Sequence, residues 1–202
     1  MNWESIVLAI IGSGILSTII VSTQELWMFH LQHNFKSKDM VVKTHLKNRL
    51  SIYDVLNRLK LKVESPRVLI LYTENGGGLP TLGSQIYISV LYEVVDTDTK
   101  SIKMDVQRLT TDEEYDKLIS RLASGEFVKI KTKEMNDGIL KKFYKFDNVV
   151  ESFIVQIGQQ NNRFYYMSVA WHKELENDNV RDSAEISILS EANNIKALLE
   201  DI

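Results

Sequence analysis

The sequence predicts an α+β protein in which a central antiparallel sheet is flanked by N- and C-terminal helices and preceded by a single transmembrane helix. Three observations support this fold class. Residues 5–23 form an uncharged apolar run. Runs of β-forming residues bounded by Gly, Pro and Asn predict strands in the middle of the chain. Apolar residues at helical spacing over 36–63 and 179–200 predict amphipathic helices before and after those strands.

Composition excludes several classes of protein. A chain of 202 residues has room for one ordinary domain and an accessory segment. Its net charge of −3 provides no large basic field, so we expect no nucleic-acid partner. The chain contains no cysteine, which rules out disulfides, thiolate metal sites and cysteine nucleophiles.

The apolar run predicts a membrane anchor. Its nineteen residues, at a helical rise of about 1.5 Å each, span roughly 28 Å, close to the thickness of a bilayer core. Trp3 and Trp27 flank the run, where interfacial aromatic residues belong. The alternatives are a buried core helix and a cleaved signal peptide. The segment lacks a basic start and a small-x-small cleavage site, which favours an uncleaved anchor.

The charged residues that flank the anchor predict its orientation, and small residues within it predict a contact face. No Lys or Arg precedes the run, whereas lysines follow it, which places the C-terminal domain in the cytoplasm of a single-pass membrane protein. Ala9, Ser13 and Ser17 recur at every fourth position. Such a stripe lets two helices approach closely in lipid, although small residues are also simply common in membrane helices. We therefore divide the chain into three parts: an anchor and juxtamembrane segment (1–35), a linker or dimerisation helix (36–65) and an α/β domain (66–202).

The spacing of apolar residues predicts the linker helix and the first two strands of the α/β domain. Val42, Leu46, Leu50, Tyr53 and Leu56 keep helical spacing in the linker helix, which Pro66 ends. Two apolar strand patterns follow, at 67–73 and 85–95, joined by a Gly-rich loop. Strict alternation in the second strand predicts that one face is core, containing Ile86, Ile88, Val90, Tyr92 and Val94. The other, partly polar face contains Tyr87, Ser89, Leu91 and Glu93.

The remaining elements alternate between helix and strand. Thr111 and Glu114 predict a capping box for a helix over 112–124, and Gly125 predicts its end. A short strand at 126–131 and a short helix at 136–146 come next. The closing elements are strands at 151–157 and 163–172, joined by a loop at 158–162, and an amphipathic helix over 179–200.

This arrangement resembles a GAF domain, the small-molecule-sensing relative of the PAS domain. The resemblance covers roughly residues 40–200 and rests on the order of elements, on the segment LILYTENGGG that leads into the second strand, and on the late hairpin near Trp171. It implies that the N- and C-terminal helices pack on one sheet face, while loops and short helices enclose a ligand pocket on the other. The NKFDE motif of cyclic-nucleotide binders and the bilin-attaching cysteine are both absent, so neither ligand is implied.

Few residues carry candidate chemistry. Gly76, Gly77 and Gly78 could hold a phosphate, but they precede a strand and have no nearby lysine, so a hairpin loop is favoured. His30 and His33 share a helical spacing without a third ligand, so no metal site is predicted.

If a pocket exists, we expect the partly polar sheet face to line it. The predicted ligand-binding residues are Tyr87, Ser89, Tyr166, Ser168 and His172. The alternative is that loops cover this face and leave no cavity. No nucleophile–base pair stands out, so no catalytic residue, enzyme activity or cofactor is predicted.

We therefore expect a membrane-anchored GAF-like sensory or ligand-binding module that acts through a separate protein partner. The lipid bilayer, a second copy of the chain and a small-molecule ligand are its other expected partners. The alternative is a non-catalytic, membrane-anchored structural or scaffolding protein. The content of Lys, Asn and Ile, which is typical of AT-rich genomes, fits a bacteriophage origin for that alternative.

Overall fold

A computed structural model describes residues 42–75 and 85–200, and an antiparallel sheet forms the centre of this part of the chain. The strands are β1 (Arg67–Glu74), β2 (Tyr87–Val95), β3 (Leu109–Thr110), β4 (Val128–Lys131), β5 (Glu151–Gln160) and β6 (Arg163–Trp171). Their spatial order is β3-β2-β1-β6-β5-β4. The predicted α+β class with a central antiparallel sheet is confirmed, and the short strand β3 was not predicted.

Several predictions concern other parts of the chain. The anchor at 5–23, its Ala9, Ser13 and Ser17 stripe, His30 and His33, and the loop at 76–78 lie outside the described residues. Among the residues that are described, no helix combines the length and apolar character needed to cross a membrane. The chain divides into two compact units, residues 1–47 and residues 48–202. The sheet belongs to the second unit, together with the helical residues from Asn48 onwards.

The helices cover the sheet on both faces. They are α1 (42–62), α2 (Glu113–Ala123), α3 (Ile139–Phe146) and α4 (Asp178–Glu200), and the short 3-10 turn Thr132–Glu134 precedes α3. The predicted helices are therefore present, with ends shifted by a few residues. One sheet face packs against α1 and α4, and the opposite face packs against α2 and α3.

The side of α1 that faces the sheet agrees only in part with the expected one. Val42, Leu46 and Leu50 carry the predicted apolar spacing, but all three are exposed. Leu56 of the predicted stripe is buried and Tyr53 is partly buried, and Ile52, Val55 and Leu59 complete the buried side of the helix. Helical spacing alone does not show which part of an apolar stripe meets the sheet, and the tertiary packing decides that.

Helix α1 ends in a left-handed turn that Trp171 fastens to the sheet. The amide of Ser65 donates to the carbonyl of Lys60, and Glu64 adopts a φ of 49°, as in a Schellman motif. The indole Nε1 of Trp171 donates to the carbonyl of Val63 at 3.0 Å, so it satisfies one of the free carbonyls at the helix end. The end of α1 is thereby fixed to strand β6.

A β-bulge divides strand β2 between the two faces. Ile70 of β1 lies opposite Tyr92, but the next residue, Leu71, lies opposite Val90. The extra residue, Leu91, reverses the alternation of side chains. Ile88 and Val90 therefore pack under α2, whereas Tyr92 and Val94 pack under α1 and α4. The prediction that these residues share one face is wrong, because alternation was carried through a bulge.

The β5–β6 hairpin is longer than predicted. Strand β5 continues to Gln160 and β6 begins at Arg163 as predicted, which leaves only Asn161 and Asn162 in the turn. These two residues have φ values of 50° and 61°. Consecutive positive φ angles are typical of the tight type I′ turn, which asparagine tolerates well. The expected five-residue loop is therefore wrong, because polar Gln residues extend the strand.

Asp112 caps α2, in place of the predicted Thr111 capping box. The Asp112 Oδ1 accepts a hydrogen bond from the amide of Tyr115 at 3.0 Å. The hydroxyl of Thr111 instead donates to the carboxylate of Asp116 at 2.6 Å. The cap is thus one residue later than the Ser/Thr pattern suggested, and α2 ends as expected at Gly125, which has a φ of 84°.

Leu56 and Leu61 of α1 provide a matched test of this packing. Leu56 is fully buried, whereas Leu61 is 72% exposed. We expect Leu56→Ala to lower the free energy of unfolding by about 2–5 kcal/mol, because it leaves a cavity under the helix. Leu61→Ala should change it by about 0.5 kcal/mol or less. Chemical denaturation of both variants checks the orientation of α1, and equal losses would contradict it.

Candidate functional site

A small cavity lies between the sheet and its α2–α3 cover. Strands β1, β2, β5 and β6 form its floor, α2 and α3 cover it, and the segment that follows β2 closes one side. Its volume is about 60 Å³. Most of the lining is apolar, including Leu69, Leu71, Ile88, Val106, Leu140 and Phe143. An apolar cavity with a few inward-facing polar groups has the character of a ligand site, although this one is smaller than most.

Larger clefts on the surface are weaker candidates. One cleft of about 390 Å³ lies beside strand β4 and is lined by Lys117, Arg121 and Lys129, among others. Each of these cations already has an acidic partner on the surface. The cleft is open to solvent, where water competes with any ligand for charged groups. The enclosure and the inward-facing polar groups of the small cavity therefore make it the stronger candidate.

One aspartate joins the two helices that cover the cavity. While Asp112 Oδ1 caps α2, its Oδ2 accepts a hydrogen bond from the amide of Ile139, the first residue of α3, at 2.6 Å. A Cβ atom on Gly138 would lie 3.0 Å from that same oxygen. Glycine therefore allows the chain to pass close enough for Asp112 to bond both helices.

Two tyrosines meet inside the cavity. The hydroxyls of Tyr115 from α2 and Tyr166 from β6 lie 2.6 Å apart. Burial raises the pKa of the Tyr115 hydroxyl, and burial together with the neighbouring Tyr115 raises the pKa of Tyr166 well above its usual value. Both hydroxyls are consequently neutral at physiological pH. They can donate and accept hydrogen bonds there, but they cannot provide a charge.

A second polar group lies under α3. The Tyr144 hydroxyl donates to Ser152 Oγ at 2.9 Å, and Ser152 Oγ lies 3.2 Å from Ser168 Oγ. All three side chains are buried. Burial raises the pKa of Tyr144, so this hydroxyl is also neutral. The hydroxyls satisfy one another and hold α3 on the sheet.

The charged part of the lining is centred on Arg67, at the start of β1. Its side chain is 2% exposed. Its guanidinium pairs with Asp147 at the end of α3, donates to the carbonyl of Lys100, and places Nε 3.4 Å from Glu93 Oε1. Burial lowers the pKa of Arg67, and the charge of Glu93 opposes that effect.

Glu93 connects Arg67 to the segment after β2, which forms the side wall of the cavity. Its carboxylate accepts hydrogen bonds from the amides of Ile102 and Lys103, both at 3.0 Å, and from the hydroxyl of Ser101. Ile102 lines the cavity. A single buried ion-pair network therefore holds the side wall through Glu93 and the end of the α3 cover through Asp147.

The structure brings together two of the five residues proposed from sequence. Tyr166 and Ser168 line the cavity. Tyr87 and Ser89 alternate with residues that face the cavity, so they lie on the opposite side of the sheet, as a consequence of the bulge. His172 lies exposed beyond the end of β6. Ligand binding by any of them remains a prediction.

The contacts of these three residues are local. Ser89 Oγ accepts a hydrogen bond from the amide of Arg108 at 2.9 Å, and the guanidinium of Arg108 lies over the Tyr87 ring. Partial burial and the charge of Arg67 lower the pKa of His172. None of the hydrogen bonds found among the described residues joins His172 to Ser168 or Ser89, the partners that a general base would need here.

Sequence reasoning missed the residues that complete the site, namely Arg67, Glu93, Tyr115, Tyr144 and Asp147. One signal was available for Arg67, because a charged residue beginning an otherwise apolar strand has to find a buried partner or solvent. The tyrosines appeared only as members of apolar helical faces. Their hydroxyls acquire a role when the helices dock on the sheet.

Comparison with known proteins identifies the fold. No family model matches the chain, and no curated protein matches it in sequence. Solved structures of GAF domains do match its three-dimensional structure. The GAF domain of a two-component sensor histidine kinase from Bacillus halodurans has a TM-score of 0.52 and 12% identity, with 74% of this chain and 91% of that chain covered.

Two further structures have higher TM-scores. The photoproduct state of the third GAF domain of Slr1393 from Synechocystis has a TM-score of 0.57 and 11% identity, with 75% of this chain and 92% of that chain covered. A far-red cyanobacteriochrome photoreceptor has a TM-score of 0.54 and 13% identity, with 86% and 97% covered. At such identities the likeness shows the fold alone. The chain has a GAF-like fold.

The buried tyrosines make stability sensitive to high pH. Tyr115, Tyr144 and Tyr166 have raised pKa values in the folded state. Their contribution is complete below about pH 10, where an unfolded tyrosine begins to ionise, and is lost as the pH rises further. We expect the free energy of unfolding to fall above that pH, by up to about 1.4 kcal/mol per pH unit for each group.

Phenolate absorbance and far-ultraviolet circular dichroism, recorded together during an alkaline titration, check this expectation. The absorbance of the buried tyrosines should rise together with unfolding. Replacing both members of the close pair, in Tyr115→Phe/Tyr166→Phe, should make the decline in stability less steep. Complete ionisation of the tyrosines near pH 10 in a chain that stays folded would contradict the burial of these hydroxyls.

Proposed function

We propose that this chain is a GAF-like sensory or ligand-binding module that takes a small molecule into the cavity under α2 and α3. The observation that carries the proposal is the placement of buried polar groups around an apolar space on one sheet face. Tyr166, Ser168 and Arg67 all line that space. Apolar walls with a few fixed polar groups are the general design of small-molecule sites.

The size of the cavity limits the ligand or requires movement. A volume of about 60 Å³ is that of roughly two water molecules. Helix α3 is the element best able to enlarge it, because it has eight residues and only Tyr144 is fully buried. Ile139, Leu140 and Phe143 are only partly buried against the sheet layer. Short elements with few buried contacts open at a lower free-energy cost than the core does.

The ligand signal would pass to a separate partner through the helices on the other face. Leu50 and Leu61 of α1 are 66% and 72% exposed, and Ile186 of α4 is 69% exposed. Where exposed apolar side chains form a contiguous patch, that patch can mark a surface that contacts another protein. We propose that a protein partner or a second copy of this chain contacts them, and that the segment at 5–23 anchors the assembly in a membrane.

A second candidate function is a non-catalytic, membrane-anchored scaffolding protein, of bacteriophage origin. The small volume of the cavity favours this alternative, because side chains already fill most of the space that a ligand would need. In that case the exposed helical surfaces alone would carry the function.

A ligand panel distinguishes the two candidates. Thermal unfolding of the full chain in detergent, measured against small metabolites and nucleotides, should show concentration-dependent stabilisation by at least one compound. Ala170→Val should abolish that response, because Ala170 lines the cavity and the added methyl groups fill it. Ala184→Val is a matched control, because Ala184 is also buried but belongs to the α1–α4 layer. If no compound changes the thermal stability of the chain, the scaffolding function is favoured.

Membrane anchoring requires an independent measurement. The uncharged run at 5–23 leads us to expect the full chain in the membrane fraction of a lysate, resistant to carbonate extraction and released by detergent. Ile11→Arg and Ile15→Arg together should move it to the supernatant, because two charges inside the run are costly in lipid. Recovery of the unprocessed wild-type chain from the supernatant would contradict the anchor.

A further inference from the structure

The guanidinium of Arg67 is both buried and incompletely satisfied. Its Nε has no hydrogen-bond partner among the described residues, although Glu93 Oε1 lies 3.4 Å away. A buried donor without a partner destabilises the folded state, and the cost is larger when the donor is charged. Because Arg67 lines the cavity, this strong anion-binding group lies directly beside the apolar space.

The two carboxylates that balance Arg67 differ in how firmly they are held. Glu93 accepts two backbone amides and a hydroxyl in addition to its contact with Arg67, and it is 3% exposed. Asp147 pairs with Arg67 from the position directly after α3, and its side chain is 15% exposed. Asp147 can therefore turn towards solvent, whereas Glu93 would lose its remaining bonds.

We propose that the cavity binds a short-chain monocarboxylate, whose carboxylate replaces Asp147 on Arg67 and whose alkyl chain occupies the apolar space. This inference rests on the proposed ligand-binding function and adds the chemical class of the ligand. The exchange conserves charge around Arg67, since one carboxylate leaves as another enters. A neutral ligand would leave Arg67 short of a partner, and a cation would be repelled by it.

The dimensions of the site set the length of the acid. The ligand carboxylate takes the place of the Asp147 carboxylate, so the chain alone has to fit the cavity of about 60 Å³. That volume, roughly two water molecules, suits an acid of about three or four carbon atoms. Leu69, Leu71 and Phe143 would contact the chain. Binding would detach the end of α3 from β1, which gives the ligand a direct effect on the cover of the site.

Butyrate and butyramide test the proposal, because they share a shape and differ in charge. Thermal unfolding of the full chain in detergent is followed with increasing sodium butyrate, with sodium chloride at equal ionic strength and with butyramide. We expect only butyrate to stabilise the protein. Asp147→Asn should lower the half-saturating butyrate concentration at least threefold, because it removes the competing carboxylate.

Asp137→Asn is the matched control, since Asp137 lies just before α3, is 92% exposed and pairs with Lys141. It should leave the half-saturating concentration unchanged. Arg67→Gln should abolish stabilisation by butyrate, provided that circular dichroism shows a folded chain. If that variant does not fold, the comparison of Asp147→Asn with Asp137→Asn decides the question.

The outcomes separate this inference from the function on which it rests. Equal stabilisation by butyrate and butyramide, or no effect of Asp147→Asn, would overturn the carboxylate site. Stabilisation of the chain by an unrelated neutral or cationic compound, without any response to butyrate, would overturn it as well and leave the ligand-binding function intact. If neither butyrate nor any compound of the metabolite panel stabilises the chain, both the carboxylate site and the ligand-binding function are overturned.

Discussion

The ion-pair network of Arg67 is the constraint on which the cavity side of this structure depends. A guanidinium at the start of a central strand is removed from water, and the cost of burying such a charge is several kcal/mol unless it is paired. Glu93 and Asp147 provide the pairing from the next strand and from the end of α3. Meeting this single requirement fixes both the turn after β2 and the docking of α3, and these are two walls of the cavity.

The two faces of the sheet consequently have different characters. The face under α1 and α4 is packed mainly by apolar and aromatic side chains, with Phe153 and Trp171 in edge contact at a centroid distance of 5.1 Å. The face under α2 and α3 contains the buried hydroxyls and the Arg67 network. A well-packed layer on one side lets the other side hold polar groups and a short cover without loss of the fold.

The bulge at Leu91 determines which residues can contribute to the cavity. With unbroken alternation, Tyr87 and Ser89 would share the cavity face with Glu93. The extra residue instead directs Ile88, Val90 and Glu93 towards the cavity and sends Tyr87 and Ser89 to the other side. Bulges commonly redirect side chains in this way. Here the result is a carboxylate beside Arg67 and apolar walls around the remaining space.

The sequence by itself determined the features that depend on neighbouring residues. Helical and strand periodicity, the stop at Gly125 and the order of elements were all readable, and they led to the resemblance to a GAF domain that the fold confirms. Tyr166 and Ser168 were placed near one another because they alternate on a single unbroken strand. The tertiary structure alone decided which part of the predicted α1 stripe is buried, where the bulge interrupts β2, and that Asp112 joins two helices while Arg67 joins two walls. Each of these depends on atoms that are distant in the chain, and local periodicity contains no information about such pairs.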